Sequence, residues 1–266
     1  MTAAAGPPLL SAEGLAIGHG GRALARDLAL GLDAGTVTCL LGPNGVGKTT
    51  LFKTLLGLLP PIAGTVRLAG VPLAARSSAA KARAVAYVPQ ASPSDFNYAV
   101  LDMVVMGRTA HLGAFGAPKA RDLAAAQDAL ASLGIGDLAL RAFNHLSGGQ
   151  RQLVLVARAL AQGAPVIVMD EPTASLDLAN RLLVLREVRA LAVRGFAVLL
   201  STHEPEHALA VADRVAVLGA GGWFKAGAAR EVLTGATLSR LYGVPLTVEA
   251  APSGRLVVSP AEVGGA

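Results

Sequence analysis

Gly42-Pro43-Asn44-Gly45-Val46-Gly47-Lys48-Thr49 puts three glycines, a lysine and a hydroxyl into eight residues. Glycines let backbone N–H groups turn inward around phosphate oxygens, and a helix starting at the lysine adds its positive end. Lys48 would reach the β- and γ-phosphates, and the Thr49 hydroxyl, followed by Thr50, would face Mg²⁺. A second set follows an apolar run, Val166-Ile167-Val168-Met169, which ends in Asp170-Glu171. Adjacent carboxylates at a strand end suit two tasks: Asp170 holding Mg²⁺, directly or through water, and Glu171 orienting or deprotonating an attacking water. A third set is Leu146-Ser147-Gly148-Gly149-Gln150, where Ser147 is a natural helix N-cap and two glycines permit close approach to an anion.

These groups need elements to hold them. Thr36–Leu41 is β-rich and enters the glycine loop; Lys48–Leu59 reads as a helix stopped by Pro60-Pro61. Strands are predicted at 15–17, 28–30, 65–68 and 85–88, and buried ones at 166–169, 197–200 and 215–218. Helical patterning covers 72–83, 101–107, 119–133, 149–162, 178–193 and 204–212. Alternating strands and helices predict a mainly parallel α/β sheet, with ligands at the carboxyl ends of its strands. The early strands add an antiparallel β piece, the helical block 92–160 forms an inserted lobe, and 249–266 reads as a loosely ordered tail. The chain is thus one domain over 1–266, with a core at about 8–91 and 161–248.

Composition narrows the function. Mean hydropathy is +0.52, yet the longest stretch free of Lys, Arg, Asp and Glu is 14 residues, 34–47, and glycines and a proline interrupt it. A spanning helix needs roughly 20 apolar residues. Much of the apolar excess is alanine, 53 residues of 266. Residues 1–12 lack the basic start and apolar length of a secretory signal. One cysteine, Cys39, forms no disulfide framework and reads as a small core residue. The net charge of +5 comes from scattered arginines, with no basic run among aromatics, so nucleic acid is not expected as a partner. His111, His145 and His207 show no metal-ligand spacing, and Trp223 and Tyr242 read as packing anchors.

Leu-Ser-Gly-Gly-Gln between a phosphate loop and Asp-Glu resembles the signature of the ABC ATPases, the nucleotide-binding subunits of ABC transporters, over roughly residues 9–248. The resemblance implies a P-loop NTPase cassette that binds ATP and Mg²⁺. It implies further that Gln90 touches Mg²⁺ or water and relays nucleotide state, that Ser175-Leu176-Asp177 crosses a dimer seam, and that His203 contacts the γ-phosphate. The family stacks an aromatic on adenine about thirty residues before the lysine; the candidate here is His19, with less stacking area than tyrosine.

The same resemblance implies a head-to-tail homodimer, each ATP lying between the Lys48 loop of one chain and Ser147-Gly148-Gly149 of the other. Separate permease subunits would dock around residues 90–110, placing the chain on the cytoplasmic face of the cell membrane, with a substrate-binding protein as an indirect partner. The stretch from Asn97 to Gly113, with Val-Val-Met-Gly-Arg and His-Leu-Gly inside it, is similar to importer ATPases for ferric siderophores, haem or cobalamin. Leu241-Tyr242-Gly243-Val244-Pro245 points the same way, while Phe96-Asn97-Tyr98 and Leu176–Asn180 lean toward a molybdate or tungstate branch. An exporter ATPase, or a soluble ABC ATPase acting on nucleic acid, stands as the alternative. Such soluble proteins carry two cassettes or a long coiled-coil insertion, and this sequence has neither.

Overall fold

A computed structural model describes residues 7–90, 97–112, 116–174 and 176–261. In chain order, β1 (Leu10–His19) and β2 (Arg22–Leu32) form a long hairpin, and β3 (Val37–Leu41) leads into α1 (Lys48–Leu55). Next come β4 (Ala63–Leu68), β5 (Val71–Pro72), α2 (Ser78–Ala84) and β6 (Val85–Val88). The helical lobe holds α3 (Val100–Val105), a 3₁₀ turn at Met106–His111, α4 (Ala120–Ser132) and α5 (Gly148–Gln162). The chain returns through β7 (Val166–Met169), α6 (Leu178–Val193), β8 (Ala197–Thr202), α7 (Pro205–Val211), β9 (Arg214–Leu218) and β10 (Phe224–Ala228). It closes with α8 (Ala229–Val232), α9 (Gly235–Tyr242), β11 (Leu246–Ala250) and β12 (Leu256–Pro260).

The central sheet has the order β10-β9-β3-β8-β7-β6. All its pairings are parallel except β9 with β10. A separate antiparallel sheet, β2-β1-β4-β5, covers one face. The continuous apolar runs are explained by this burial on two sides. Cys39, Leu41, Ile167, Met169 and Leu200 face a core shared with α5, α6 and the helical lobe. Leu40, Val166, Val168, Leu199 and Leu218 face α1 and the antiparallel sheet. Among the described residues no helix is long and apolar enough to cross a membrane.

Three expectations need correction. The helix from Lys48 ends at Leu55 rather than Leu59, because Gly57 takes a left-handed φ of +69° before the two prolines are reached. The stretch 72–83 starts as a 3₁₀ turn, and the α-helix begins only at Ser78, where the Ser77 hydroxyl accepts from the Ala80 N–H. Residues 249–260 are no loose tail: β11 and β12 pair in register from Leu246↔Pro260 to Ala250↔Leu256. Val248 and Val258 pack on the main core, and Ser239 anchors the hairpin through both the N–H and the carbonyl of Leu246. Half-buried Val248 and Val258 sit beside exposed residues in this strand pair, so the tail's polarity was that of an exposed sheet face.

Candidate functional site

β8 lies between β3 and β7, so three carboxyl-terminal strand ends meet at one edge. β3 delivers the glycine loop, β7 delivers Asp170-Glu171, and β8 delivers Ser201, Thr202 and His203. A cavity of about 360 Å³ opens there, walled by Leu24, Gln90 and the loop residues Asn44, Gly45, Gly47 to Thr50, with Asp170 and Glu171 opposite. Gly47, at φ +115°, turns the loop into α1 in a conformation that side-chain-bearing residues avoid.

Lys48 is 5% exposed and Glu171 15%, and Lys48 Nζ sits 3.0 Å from Glu171 Oε1. Lys48 Nζ also donates to the carbonyls of Gly42 (2.7 Å) and Pro43 (3.0 Å). Val46 packs into the core under the loop. The cation is therefore folded back across the space that phosphates would fill. Thr49 Oγ1 donates to Asp170 Oδ2 at 2.9 Å. A hydroxyl and a carboxylate this close, with the Gln90 amide on the same wall, are the hard oxygen donors that magnesium takes.

Ser201 is fully buried and ties the two carboxylate residues together. Its hydroxyl donates to Asp170 Oδ1 (2.7 Å) and accepts from the Glu171 N–H (2.9 Å). Glu171 has φ +45°, an uncommon conformation for a residue with a side chain. His203 Nδ1 lies 3.4 Å from Glu171 Oε2, and the His203 side chain is 41% exposed. Tyr242, at the end of α9, donates its hydroxyl to the His203 carbonyl at 2.7 Å. Tyr87 holds its hydroxyl 3.4 Å from Asp170 Oδ2; burial and then the Asp170 charge push the phenol up to about 12.

Ser147, Gly148, Gly149, Gln150 and Asp177 do not line this cavity. Ser147 is exposed and caps α5: its hydroxyl accepts from the Gln150 N–H, and the Gln150 side chain accepts from the Ser147 N–H. Asp177 caps α6 through the Asn180 N–H. The two caps touch: a Cβ at Gly149 would lie 2.3 Å from Asn180 Cγ, so only glycine fits. Ser175 lies outside the described residues. His19 is exposed and off the cavity wall, with Nε2 3.3 Å from Thr50 Oγ1; the apolar residue on the wall is Leu24.

Sequence reasoning passed over Ser201, Tyr87 and Leu24, and read Tyr242 as a packing anchor only. Ser201 carried a signal: a hydroxyl residue among the buried apolar positions of β8, two before His203. His207, set aside earlier, is buried with Nδ1 between Thr202 Oγ1 (3.1 Å) and Thr173 Oγ1 (3.3 Å), and burial lowers its pKa despite Glu204.

Known proteins agree with this geometry. Residues 25–174 match the family model described as ABC transporter. The hemin import ATP-binding protein HmuV of Streptomyces coelicolor is 40% identical over 97% of this chain and 92% of its own length. The molybdate import ATP-binding protein MolC of Haemophilus influenzae is 39% identical over 84% of this chain and 83% of its own. A chain of a transporter solved in an inward-facing conformation, described as of metal-chelate type, superposes with a TM-score of 0.85 at 36% identity, covering 95% of this chain and 97% of that one. With a phosphate loop, paired carboxylates and a capped signature helix on a matching fold, the chain belongs to the ABC transporter family, as an ATP-binding subunit with ATPase activity.

Proposed function

We propose that this chain powers uptake of a metal chelate, such as a ferric siderophore, haem or cobalamin, by working as a head-to-tail homodimer under permease subunits at the cytoplasmic face of the cell membrane. The observation that carries this is the division of the site. Lys48, Thr49, Asp170 and Glu171 share one cavity, while the anion-ready cap at Ser147–Gly149 stands apart from it. A second copy, turned head to tail, supplies the missing cap. The hemin relative and the metal-chelate transporter support the cargo class; the molybdate relative keeps molybdate as the second reading.

In this reading Lys48 releases Glu171 and turns to the β- and γ-phosphates of ATP. Thr49 and Asp170, with Gln90, would hold Mg²⁺, which neutralises charge on the phosphates as the bond breaks. Glu171, freed, orients the attacking water and takes its proton. His203 reaches the γ-phosphate side, with its backbone fixed by Tyr242. Asp177 faces the partner across the seam, and His19 and Leu24 border the base. Docking falls at residues 90–110, of which 91–96 lie outside the described residues. A substrate-binding protein would deliver cargo to the outer side.

The test is complementation. Lys48→Ala and Ser147→Arg chains are each expected to be inactive. Mixed, they restore one intact site per dimer and regain a substantial share of ATPase activity. No recovery from two folded variants would refute the head-to-tail reading. Uptake into liposomes with the permease, offered iron chelates and molybdate, decides the cargo.

A further inference from the structure

His207 is a buried histidine that the hydrolytic steps do not use. It lies on α7 and is 4% exposed, against 41% for the His203 side chain. Its Nδ1 lies 3.1 Å from Thr202 Oγ1 and 3.3 Å from Thr173 Oγ1, and both threonines are buried. Its Nε2 lies 3.3 Å from Glu204 Oε2. These contacts choose the tautomer. A proton on Nε2 faces the carboxylate, whereas a lone pair there would be repelled by it. Nδ1 is therefore the acceptor, and the two threonine hydroxyls serve it as donors. Burial lowers the pKa of the ring, with Arg181 and His203 acting in the same direction and Glu204 and Glu206 against it. The ring stays neutral and keeps its lone pair.

Each partner of His207 sits beside a residue of the site. Thr173 is two positions after Glu171, in a turn closed by the Ala174 N–H on the Glu171 carbonyl. Thr202 immediately precedes His203, and its hydroxyl also accepts from the Glu204 N–H at 3.1 Å. Glu204 immediately follows His203 and accepts from Arg181 of α6 at 2.9 Å. His203 is thus flanked on both sides by residues that His207 touches. Ser201 already joins β8 to the Glu171 N–H; His207 joins the same two segments again, one residue further along the strand and two further along the turn. One fixing point leaves a pivot, whereas two set both separation and twist. What they hold is the 3.4 Å approach of His203 Nδ1 to Glu171 Oε2, with Glu171 at φ +45°. Groups that act together on one reacting centre lose much of their effect when they shift by a fraction of an ångström.

We propose that His207 is a positioning residue for ATP hydrolysis: through Nδ1 it staples Thr173 to Thr202 and so fixes His203 relative to Glu171. The proposal rests on the roles given above to Glu171 and His203, and it adds the group that holds their spacing. The competing role is packing alone, which needs the volume of the ring but no acceptor at the Nδ1 position.

The experiment compares three substitutions in the full chain. The side-chain oxygen of asparagine takes the place of Nδ1, that of glutamine takes the place of Nε2, and leucine offers volume without an acceptor. With Mg²⁺ and ATP, His207→Gln and His207→Leu are expected to lower kcat about tenfold with KM within about twofold of native, while His207→Asn retains most of kcat. Calorimetric affinity for a β,γ-imido ATP analogue should stay native in all three, which also shows that they fold. If His207→Leu does not fold, the comparison of Asn with Gln still decides. A second readout is the double variant: in a His203→Ala chain, followed to low turnover, His207→Gln should cause no further loss of kcat. Equal kcat in the Asn and Gln chains, at whatever level, overturns the proposal in favour of packing. So does a loss of analogue affinity that matches the loss of kcat, or a loss that multiplies with that of His203→Ala. Native kcat in the single His203→Ala chain refutes the reading of His203 itself; the proposal falls with it, by a result that no His207 variant can give.

Discussion

Replacing Glu171 by Gln should tighten binding of a nucleoside triphosphate as well as stop hydrolysis. The reason is the Lys48–Glu171 pair, 3.0 Å apart and almost buried, which any triphosphate must break. At an effective dielectric constant near 20, two unit charges at that distance attract by roughly 5–6 kcal/mol. Most of this is returned when Glu171 regains water and Lys48 gains phosphate. A conservative residue of one quarter is about 1.4 kcal/mol, or tenfold in affinity. Glutamine keeps a carbonyl for Lys48 but removes the charge, and it also removes the repulsion between Glu171 and the γ-phosphate.

The assay is calorimetric titration of the isolated subunit with Mg²⁺ and a β,γ-imido ATP analogue, against ADP as reference. The titration is run at a protein concentration at which light scattering shows only monomer, so that dimer closure does not add to the apparent affinity. We expect at least about a tenfold gain for the triphosphate analogue and a smaller gain for ADP, which leaves the γ-phosphate position empty. Equal affinity in native and Glu171→Gln chains would show that the pair is not in the path of nucleotide entry. An equal gain for ADP would show that Glu171 competes with the wrong phosphate. Either result refutes the argument.

Two further outcomes follow from the geometry. Ser201→Ala removes the donor to Asp170 and leaves the Glu171 N–H unsatisfied in an uncommon backbone conformation. Urea unfolding should show a loss of about 1–3 kcal/mol, and kcat should fall by much more than KM changes; a stability loss with native kcat would make Ser201 merely structural. Asp122 is held below its ordinary value of 3.8 by the Lys119 N–H and then by Arg108. Its lowered pKa means that its stabilisation is complete above about pH 4 and is lost as pH falls through the folded-state value. The stability gap between native and Asp122→Asn chains should therefore be constant from pH 7 to 5 and close toward pH 3; a gap that widens in acid would contradict the assignment.

The parts of this site legible from sequence are those whose chemistry is local. A phosphate loop is eight consecutive residues, and the cap of α5 is signalled between Ser147 and Gln150, three positions apart, so both could be read directly. Asp170-Glu171 became legible through the apolar strand before it. Ser201, Tyr87 and Tyr242 were hidden because each acts across the sheet: Ser201 is 31 residues from Asp170, Tyr87 is 83 from it, and Tyr242 is 39 from His203. The Met-Gly-Arg stretch was read through its likeness to importer ATPases, and its residues also do structural work. Gly107 lets the turn meet α5 and Arg108 bonds Asp122, so the stretch reports how the lobe is packed. The hairpin at 246–260 was misread because its strands carry only half-buried valines beside glycine and proline.

The arrangement around Asp170 gives a physical reason for the metal site to be sensitive to Tyr87. Three hydroxyls converge on this one carboxylate: Thr49 from the phosphate loop, Ser201 from the strand that leads to His203, and Tyr87 from β6. A carboxylate has only so many acceptor positions, and magnesium would require at least one. Thr49 and Tyr87 share Oδ2, whereas Ser201 holds Oδ1. Ser201 is therefore the fixed partner, and metal entry competes with the Oδ2 pair, of which the 3.4 Å Tyr87 contact is the weaker. Tyr87 would be the group to give way on metal binding. Removing the Tyr87 hydroxyl should therefore ease metal entry at Asp170. Calorimetric titration with Mg²⁺ and the β,γ-imido ATP analogue should give a tighter metal-dependent affinity in Tyr87→Phe than in the native chain, and a weaker affinity in the variant would contradict the competition.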